Sequence, residues 1–229
     1  MTDEFDTAGS GAAMLAQFEA TNALVARLSD EQALLPTRLG EWRVIELVAH
    51  ISSNLTFVQN VLATRAEAGT ETSPLHWYRQ VDEFAGYIDE GTRADAAVGW
   101  IEVHNSMPTR LAALTQLLAD EDLGRVVVMI NGDHMTLEAV CATRCVELVL
   151  HTLDLVAATS MECHLDAGAV DIAKLQRRSR PPRCGCRSRR GVLGTSATSC
   201  NHDETENDER AIPHGRSFPL SRVAASYGV

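Results

Sequence analysis

The segment from Val140 to Ala158 constrains the fold most, because it is apolar on almost every side and yet contains an acid and an imidazole. Glu147 and His151 are four residues apart, so a helix places them about one turn apart on the same face. Such groups in an apolar interior must be paired or must bind a metal. The pattern therefore predicts a buried helix whose polar pair faces a partner group.

A third group of the same chemistry, His50, lies in another apolar helical segment. Two imidazoles and one carboxylate are the ligand set of open catalytic zinc sites, which leave a further position for water or substrate. One ligand from one helix and an i, i+4 pair from another can converge inside a bundle. The residues thus indicate a metal site of His50, Glu147 and His151. In a second interpretation, both histidines are ordinary core residues and Glu147 pairs with Arg144.

Four long segments with apolar residues at helical spacing predict a mainly α protein. The segments are residues 9–28, 41–66, 92–119 and 137–159. Pro108 should kink or divide the third helix, since proline cannot donate the backbone hydrogen bond. The side chains of this helix expected to point inward are Trp100, Ile101, Leu111, Leu114 and Leu118. Residues 67–90 are mixed in composition, and a loop that packs over the helices is expected there.

A short hairpin is predicted before the last helix. The β-prone runs Arg125–Ile130 and Asp133–Thr136 flank Asn131-Gly132. Asn-Gly between such runs is the strongest short-range hairpin signal, because both residues tolerate a positive φ. The predicted order is therefore three helices, one small β-hairpin and a fourth helix.

Charge and composition divide the chain near residue 173. Residues 1–173 contain 9 Arg, no Lys and 26 acids, a net charge of −17, whereas residues 174–229 contain 11 basic and 5 acidic residues, a net charge of +6. Residues 174–190 place eight basic residues among Pro, Gly and Cys with no hydrophobic period. Such a segment cannot bury enough apolar surface to offset its chain entropy. We therefore expect a helical domain over residues 1–173 and a tail of low order over residues 174–229.

Three explanations of this tail stay open: a natural disordered extension, a frameshifted or degraded C-terminal region, and a nucleic-acid-binding arm. The acidic body argues against nucleic acid as the main partner. No apolar run is long enough for a membrane span, and the acidic N-terminus differs from a secretory signal. The six cysteines are then expected to be free thiols. These features predict a cytoplasmic monomer or homodimer without a membrane partner.

Two motifs resemble the signatures of the mycothiol-dependent maleylpyruvate isomerase family. Pro36-Thr-Arg-Leu-Gly-Glu-Trp-Arg-Val-Ile-Glu-Leu-Val-Ala-His50 is similar to the first, a Gly-x-Trp-x-Val start of a helix that continues to Ala-His. Arg144-Cys-Val-Glu147-Leu-Val-Leu-His151-Thr-Leu-Asp154-Leu is similar to the second, an Arg-x-x-Glu-x-x-x-His-x-x-Asp-Leu helix. The resemblance covers roughly residues 10–165, and it implies a DinB-like four-helix bundle.

The resemblance also implies a function. In this family a divalent metal, usually Zn²⁺, would be bound by His50, Glu147 and His151, with mycothiol as the thiol co-substrate. Addition of the thiol to an electrophile would make the protein an isomerase or an S-transferase. Metal ligands need supporting hydrogen bonds, and the neighbouring polar side chains expected to provide them are Arg144, Asp154 and Asn54. A plain ion pair of Arg144 with Asp154 or Glu147 is the alternative.

One departure from the family pattern concerns the tail. Full-length members commonly have a C-terminal α/β domain that closes over the site, whereas this chain has no recognisable strand or helix pattern beyond Leu175. Two other hypotheses therefore remain. The first is a metal-binding helical bundle without catalysis, acting as an interaction or regulatory module. The second is a truncated, inactive family member.

Overall fold

Four long helices form the frame of the protein. They are α1 (Ser10–Val25), α3 (Val44–Leu62), α6 (Trp100–Leu118) and α7 (Leu137–Thr159). The shorter helices are α2 (Asp30–Ala33), α4 (Pro74–Gln80), α5 (Ala85–Ala96) and α8 (Ala167–Arg178), with a 3-10 turn at Val81–Phe84. This computed structural model describes residues 7–66 and 71–178. The mainly α fold class predicted from the apolar periods is confirmed.

The core lies where α7 packs against its neighbours. This helix contacts α1, α3 and α8, which explains why its sequence is apolar on almost every side. Helix α3 has a one-sided pattern and packs against α5, α6 and α7. Its buried residues include Leu47, Ile51, Leu55 and Val58, all at helical spacing. Each such side chain, when fully buried, stabilises the fold by about 1.5–3 kcal/mol.

Residues next to each end of α7 determine where the helix begins and ends, and so where Glu147 and His151 lie along it. The Thr136 hydroxyl accepts a hydrogen bond from the Ala139 amide at 3.2 Å and caps the N-terminus. At the other end, Ser160 adopts a left-handed conformation with φ 56°. Between these ends the helix is continuous for 23 residues. Glu147 and His151 therefore project from its middle, one turn apart.

The predicted hairpin is confirmed. Strands β1 (Val126–Val128) and β2 (His134–Thr136) pair antiparallel, with Val127 opposite Met135. The turn between them contains Gly132 at φ 86°, a conformation that glycine adopts at little cost. Val127 and Met135 are both fully buried, so one face of the hairpin packs against the helices, where β1 contacts α3 and β2 contacts α7.

The third predicted helix, over residues 92–119, was wrong as a single element. It is two helices, since α5 ends at Ala96 and α6 begins at Trp100. The break lies at Gly99, whose φ of 97° and ψ of 160° are outside the range of other residues. Pro108 does not divide α6, which continues through it.

The break also changes which side chains of α6 face inward. Leu111, Leu114 and Leu118 are buried as predicted, but Ile101 is 72% exposed and Trp100 is half-buried. The helix is interrupted at Gly99, so the inward-facing positions of α6 do not continue the helical spacing of α5. They are determined by the packing of α6 against α3 and α1.

Two further segments differ from the expectation. Residues 74–90, predicted as loop, form α4, the 3-10 turn and part of α5. Helix α8 was not predicted, and the domain boundary expected at residue 173 falls within it. Residues 179–229, which make up most of the predicted tail, lie outside the described residues, so the division into two domains stays a prediction. No helix among the described residues is both long and apolar enough to cross a membrane.

Replacement of Gly99 by alanine is expected to destabilise the protein by about 1–3 kcal/mol, because a Cβ disfavours its backbone conformation. Gly91→Ala is the matched control. Gly91 lies inside α5 with nothing within 4 Å of an added Cβ, so alanine there should stabilise by about 0.4–1 kcal/mol. Urea unfolding followed by circular dichroism measures both. A Gly99→Ala variant as stable as Gly91→Ala would contradict this account of the break.

Candidate metal centre

The three predicted ligands lie together at the interface of α3 and α7. One potential ligand atom from each of His50, Glu147 and His151 lies within 4.8 Å of the other two. His151 Nε2 is 3.3 Å from Glu147 Oε2, and the rings of His50 and His151 meet edge to face with centroids 4.9 Å apart. Zinc bonds of about 2.0–2.2 Å place two ligand atoms roughly 3.5 Å apart. The three side chains would therefore have to bring their ligand atoms closer by about 1 Å to bind zinc. No second group of this kind occurs in residues 7–66 and 71–178.

The site is neither fully buried nor on an open surface. The side chains of His151 and Glu147 are 15% and 21% exposed. On the same helix, Leu148 and Val149 are buried in the core. The cluster therefore has an apolar wall on one side and access to solvent on the other. This is the arrangement that an open ligand position for a small molecule requires.

Asp154 contacts His151 from the next turn of α7. Its Oδ2 lies 3.1 Å from His151 Nδ1, so the imidazole can donate a proton there and direct Nε2 towards Glu147. The other carboxylate oxygen of Asp154 accepts a hydrogen bond from Arg38 Nε. A carboxylate that fixes the far nitrogen of a ligating histidine is the usual outer partner at metal sites. Arg38, in the loop before α3, was not predicted.

Asn54 and Arg144 join the two helices beside the ligands. Asn54 Nδ2 donates to the His50 carbonyl oxygen at 2.9 Å, and Asn54 Oδ1 accepts from Arg144 Nη1 at 2.6 Å. Arg144 also donates to Thr143 Oγ1 at 3.1 Å, and its guanidinium lies 4.7 Å from the Phe57 ring centroid. Among the described residues Arg144 forms no ion pair, so neither of the alternative pairs considered from the sequence is present.

Three more side chains surround the cluster and were missed from the sequence. The Trp42 ring lies 5.2 Å from the His50 ring, and Thr92 Oγ1 is 3.4 Å from His50 Nδ1. Tyr78 donates from its hydroxyl to the Thr143 carbonyl oxygen at 2.6 Å. Trp42 belongs to the Gly-x-Trp-x-Val motif and could have been noticed. Tyr78 and Thr92 lie in α4 and α5, in segments where no spacing pointed to the site.

The surroundings shift the pKa values of all three ligands. Burial and the positive charge of His151 lower the pKa of His50 to about 3. Burial alone would raise the pKa of Glu147, but the hydrogen bond with His151 and the charge of Arg144 lower it to about 2. Burial would likewise lower the pKa of His151, but hydrogen bonds to Asp154 and Glu147 raise it to about 9. His151 is therefore protonated at neutral pH when no metal is bound, and its positive charge balances Glu147. A metal ion would replace that proton as the positive charge of the site.

The cysteines among the described residues do not contribute to the cluster. Cys141, Cys145 and Cys163 are free thiols, as predicted. Burial raises the pKa values of Cys141 and Cys145 to about 12, so both behave as small apolar side chains. Both thiols of α7 are fully buried, and neither belongs to the cluster of His50, Glu147 and His151.

Comparison with known proteins agrees with the two motifs. The family model described as the mycothiol maleylpyruvate isomerase N-terminal domain matches residues 14–156. The chain belongs to this family. The matched residues include His50, Glu147 and His151. No curated protein and no solved structure gives a significant match.

Each of the variants His50→Ala, Glu147→Gln and His151→Ala is expected to weaken Zn²⁺ binding by more than about 100-fold, because loss of even an outer partner costs about 10–100-fold. Competition with a chromophoric chelator measures the affinity. His104→Ala is the control, since this histidine lies on α6, contacts Trp100 and Asn105, and lies outside the cluster. If all four variants are folded by circular dichroism and bind zinc equally well, His50, Glu147 and His151 are not the zinc ligands.

Proposed function

We propose that the protein binds Zn²⁺, or another divalent metal, and uses it to activate a low-molecular-weight thiol of the mycothiol type. The observation that supports this most directly is the convergence of His50, Glu147 and His151 in a member of the mycothiol maleylpyruvate isomerase family. Two imidazoles and one carboxylate are the donors that suit zinc. The partial exposure of the cluster leaves room for a thiol.

When bound, such a metal would lower the pKa of a thiol, so that the thiolate is available near neutral pH. The protein's own groups would prepare the site. Asp154 would keep a proton on His151 Nδ1, which leaves Nε2 as the donor atom. Asn54 would hold the backbone at His50 against α7 through Arg144. The core on the other side of α7 would exclude water from half of the cluster.

The proposed reaction is the attack of a thiolate on a small electrophile. With a double bond conjugated to a carbonyl group, the sulfur adds to the β carbon, the former double bond rotates, and expulsion of the thiolate restores it. The net result is cis–trans isomerisation with no oxidation or reduction. With an electrophile that has a leaving group, the same attack yields S-transfer. We propose that this takes place in the cytoplasm, on small molecules and without a nucleic-acid partner.

A second candidate function is metal binding without catalysis, as an interaction or regulatory module. The observation that favours it is the extent of the family match. The matched family is described as an N-terminal domain, and the match ends at residue 156. Groups that a catalyst would need from another domain are not among the matched residues. The two candidates share the metal site and differ only in turnover.

The zinc-loaded protein is expected to accelerate the reaction of mycothiol with N-ethylmaleimide above the uncatalysed rate, and to lose this acceleration when a chelator removes the metal. His151→Ala should behave like the chelated protein, and His104→Ala like the wild type. The measurement is the loss of free thiol with time in the presence and absence of zinc. Stoichiometric zinc without any acceleration would favour the second candidate.

A further inference from the structure

Arg144 is a largely buried cation that forms no ion pair within the described residues. It is 8% exposed, and its hydrogen bonds are to the neutral oxygens of Asn54 and Thr143. Its second terminal nitrogen, Nη2, has no hydrogen bond within the described residues and is not one of their fully enclosed polar atoms, so it is open to a further acceptor. Because buried charges are normally paired, a ligand oxygen at this nitrogen would complete the surroundings of Arg144.

The acids of the site are already engaged by other groups. Asp154 lies between Arg38 and His151 and accepts hydrogen bonds from both. Glu147 is the acid nearest to Arg144 on the same helix, and the charge of Arg144 lowers its pKa. A metal ion held by Glu147 would take up that negative charge. The guanidinium would then have no anion of the protein to balance its charge.

Arg144 is also held in place before any ligand arrives. The Phe57 ring supports one face of the guanidinium, while Asn54 and Thr143 fix two of its nitrogens. It lies one turn from Glu147 on α7, and its partner Asn54 lies one turn from His50 on α3. A donor fixed in this way, in a site of low polarity, stabilises a developing negative charge without having to reorganise.

We propose that Arg144 binds the anionic oxygen of the electrophile, and that it acts chiefly on the charge that forms during thiol addition. This inference rests on the proposed function. As the sulfur–carbon bond forms, the π electrons of the double bond move to the conjugated carbonyl oxygen, which becomes an enolate. Arg144 hydrogen-bonds to that oxygen. When the thiolate is expelled, the electrons return to the double bond, and no proton, oxidant or reductant is consumed.

The test compares two electrophiles that differ in where negative charge develops. N-Ethylmaleimide forms an enolate on addition of a thiol, whereas benzyl bromide undergoes displacement and has no carbonyl oxygen. Arg144→Met should slow the zinc-dependent reaction of mycothiol with N-ethylmaleimide by about 100-fold, the usual effect of losing one oxyanion donor. The reaction with benzyl bromide should change by less than about threefold, the scale of a neutral substitution. Arg144→Lys, which keeps the charge, should recover part of the lost rate.

Arg110→Met is the matched control, because Arg110 also donates to a polar side chain of α3, Ser52 Oγ at 3.2 Å, but lies on α6. Zinc affinity should be the same in wild type and Arg110→Met within about threefold. The rates of Arg144→Met are measured at saturating zinc, because Arg144 also supports His50 through Asn54. Calorimetric titration of the zinc-loaded proteins with formate is a second readout that does not depend on turnover. Formate, an anionic oxygen probe, should bind about tenfold more weakly to Arg144→Met only, as expected for one charge-assisted hydrogen bond.

The outcomes separate this inference from the proposed function. If wild type with zinc accelerates neither electrophile, the proposed function fails, and formate binding alone then decides whether Arg144 is an anion-binding residue. If Arg144→Met slows both electrophiles equally or loses zinc, the residue only positions the ligands and the inference is overturned. Unchanged rates with both electrophiles overturn it as well. A larger effect on formate binding than on the maleimide rate would assign Arg144 to a ground-state carboxylate instead of the enolate.

Discussion

The packing of α3 against α7 sets an imidazole from one helix against a carboxylate and an imidazole from the other, inside a bundle whose core is mostly aliphatic. Ionisable groups in such surroundings are stable only when each has a partner. His50, Glu147 and His151 provide partners for one another, and their opposed pKa shifts follow from that arrangement. Much of the remaining polar structure near this interface supports these three side chains.

The short elements before the third long helix surround this interface. The loop that precedes α3 brings Arg38 to Asp154 and Trp42 to the His50 ring, while α4 and α5 contribute Tyr78 and Thr92. Apart from the contact of Trp42 with His50, these contacts join residues that are more than 40 positions apart in the chain. The elements that interrupt a simple four-helix pattern thus form much of the surroundings of the candidate metal centre.

The apolar period of α3 and α7 was sufficient to predict those helices and to align the candidate ligands, because both depend on local spacing. The break at Gly99 was missed because α5 and α6 both have helix-forming residues, and only the backbone conformation of one glycine separates them. Ile101 was predicted to face inward because residues 92–119 were treated as one continuous helix. Tyr78 and Thr92 could not be predicted, since their contacts with the site depend on how α4 and α5 pack. Asp154 and Asn54 were predictable because each lies one turn from a candidate ligand.

X-ray absorption at the zinc edge of the stoichiometric zinc complex decides whether one metal ion is held by two imidazoles and one carboxylate at the α3–α7 interface. We expect nitrogen and oxygen ligands at about 2.0–2.2 Å, the multiple-scattering signature of two imidazoles, and no sulfur. A sulfur ligand at about 2.3 Å, or a single imidazole, would place the metal elsewhere in the protein and would rule out this ligand set.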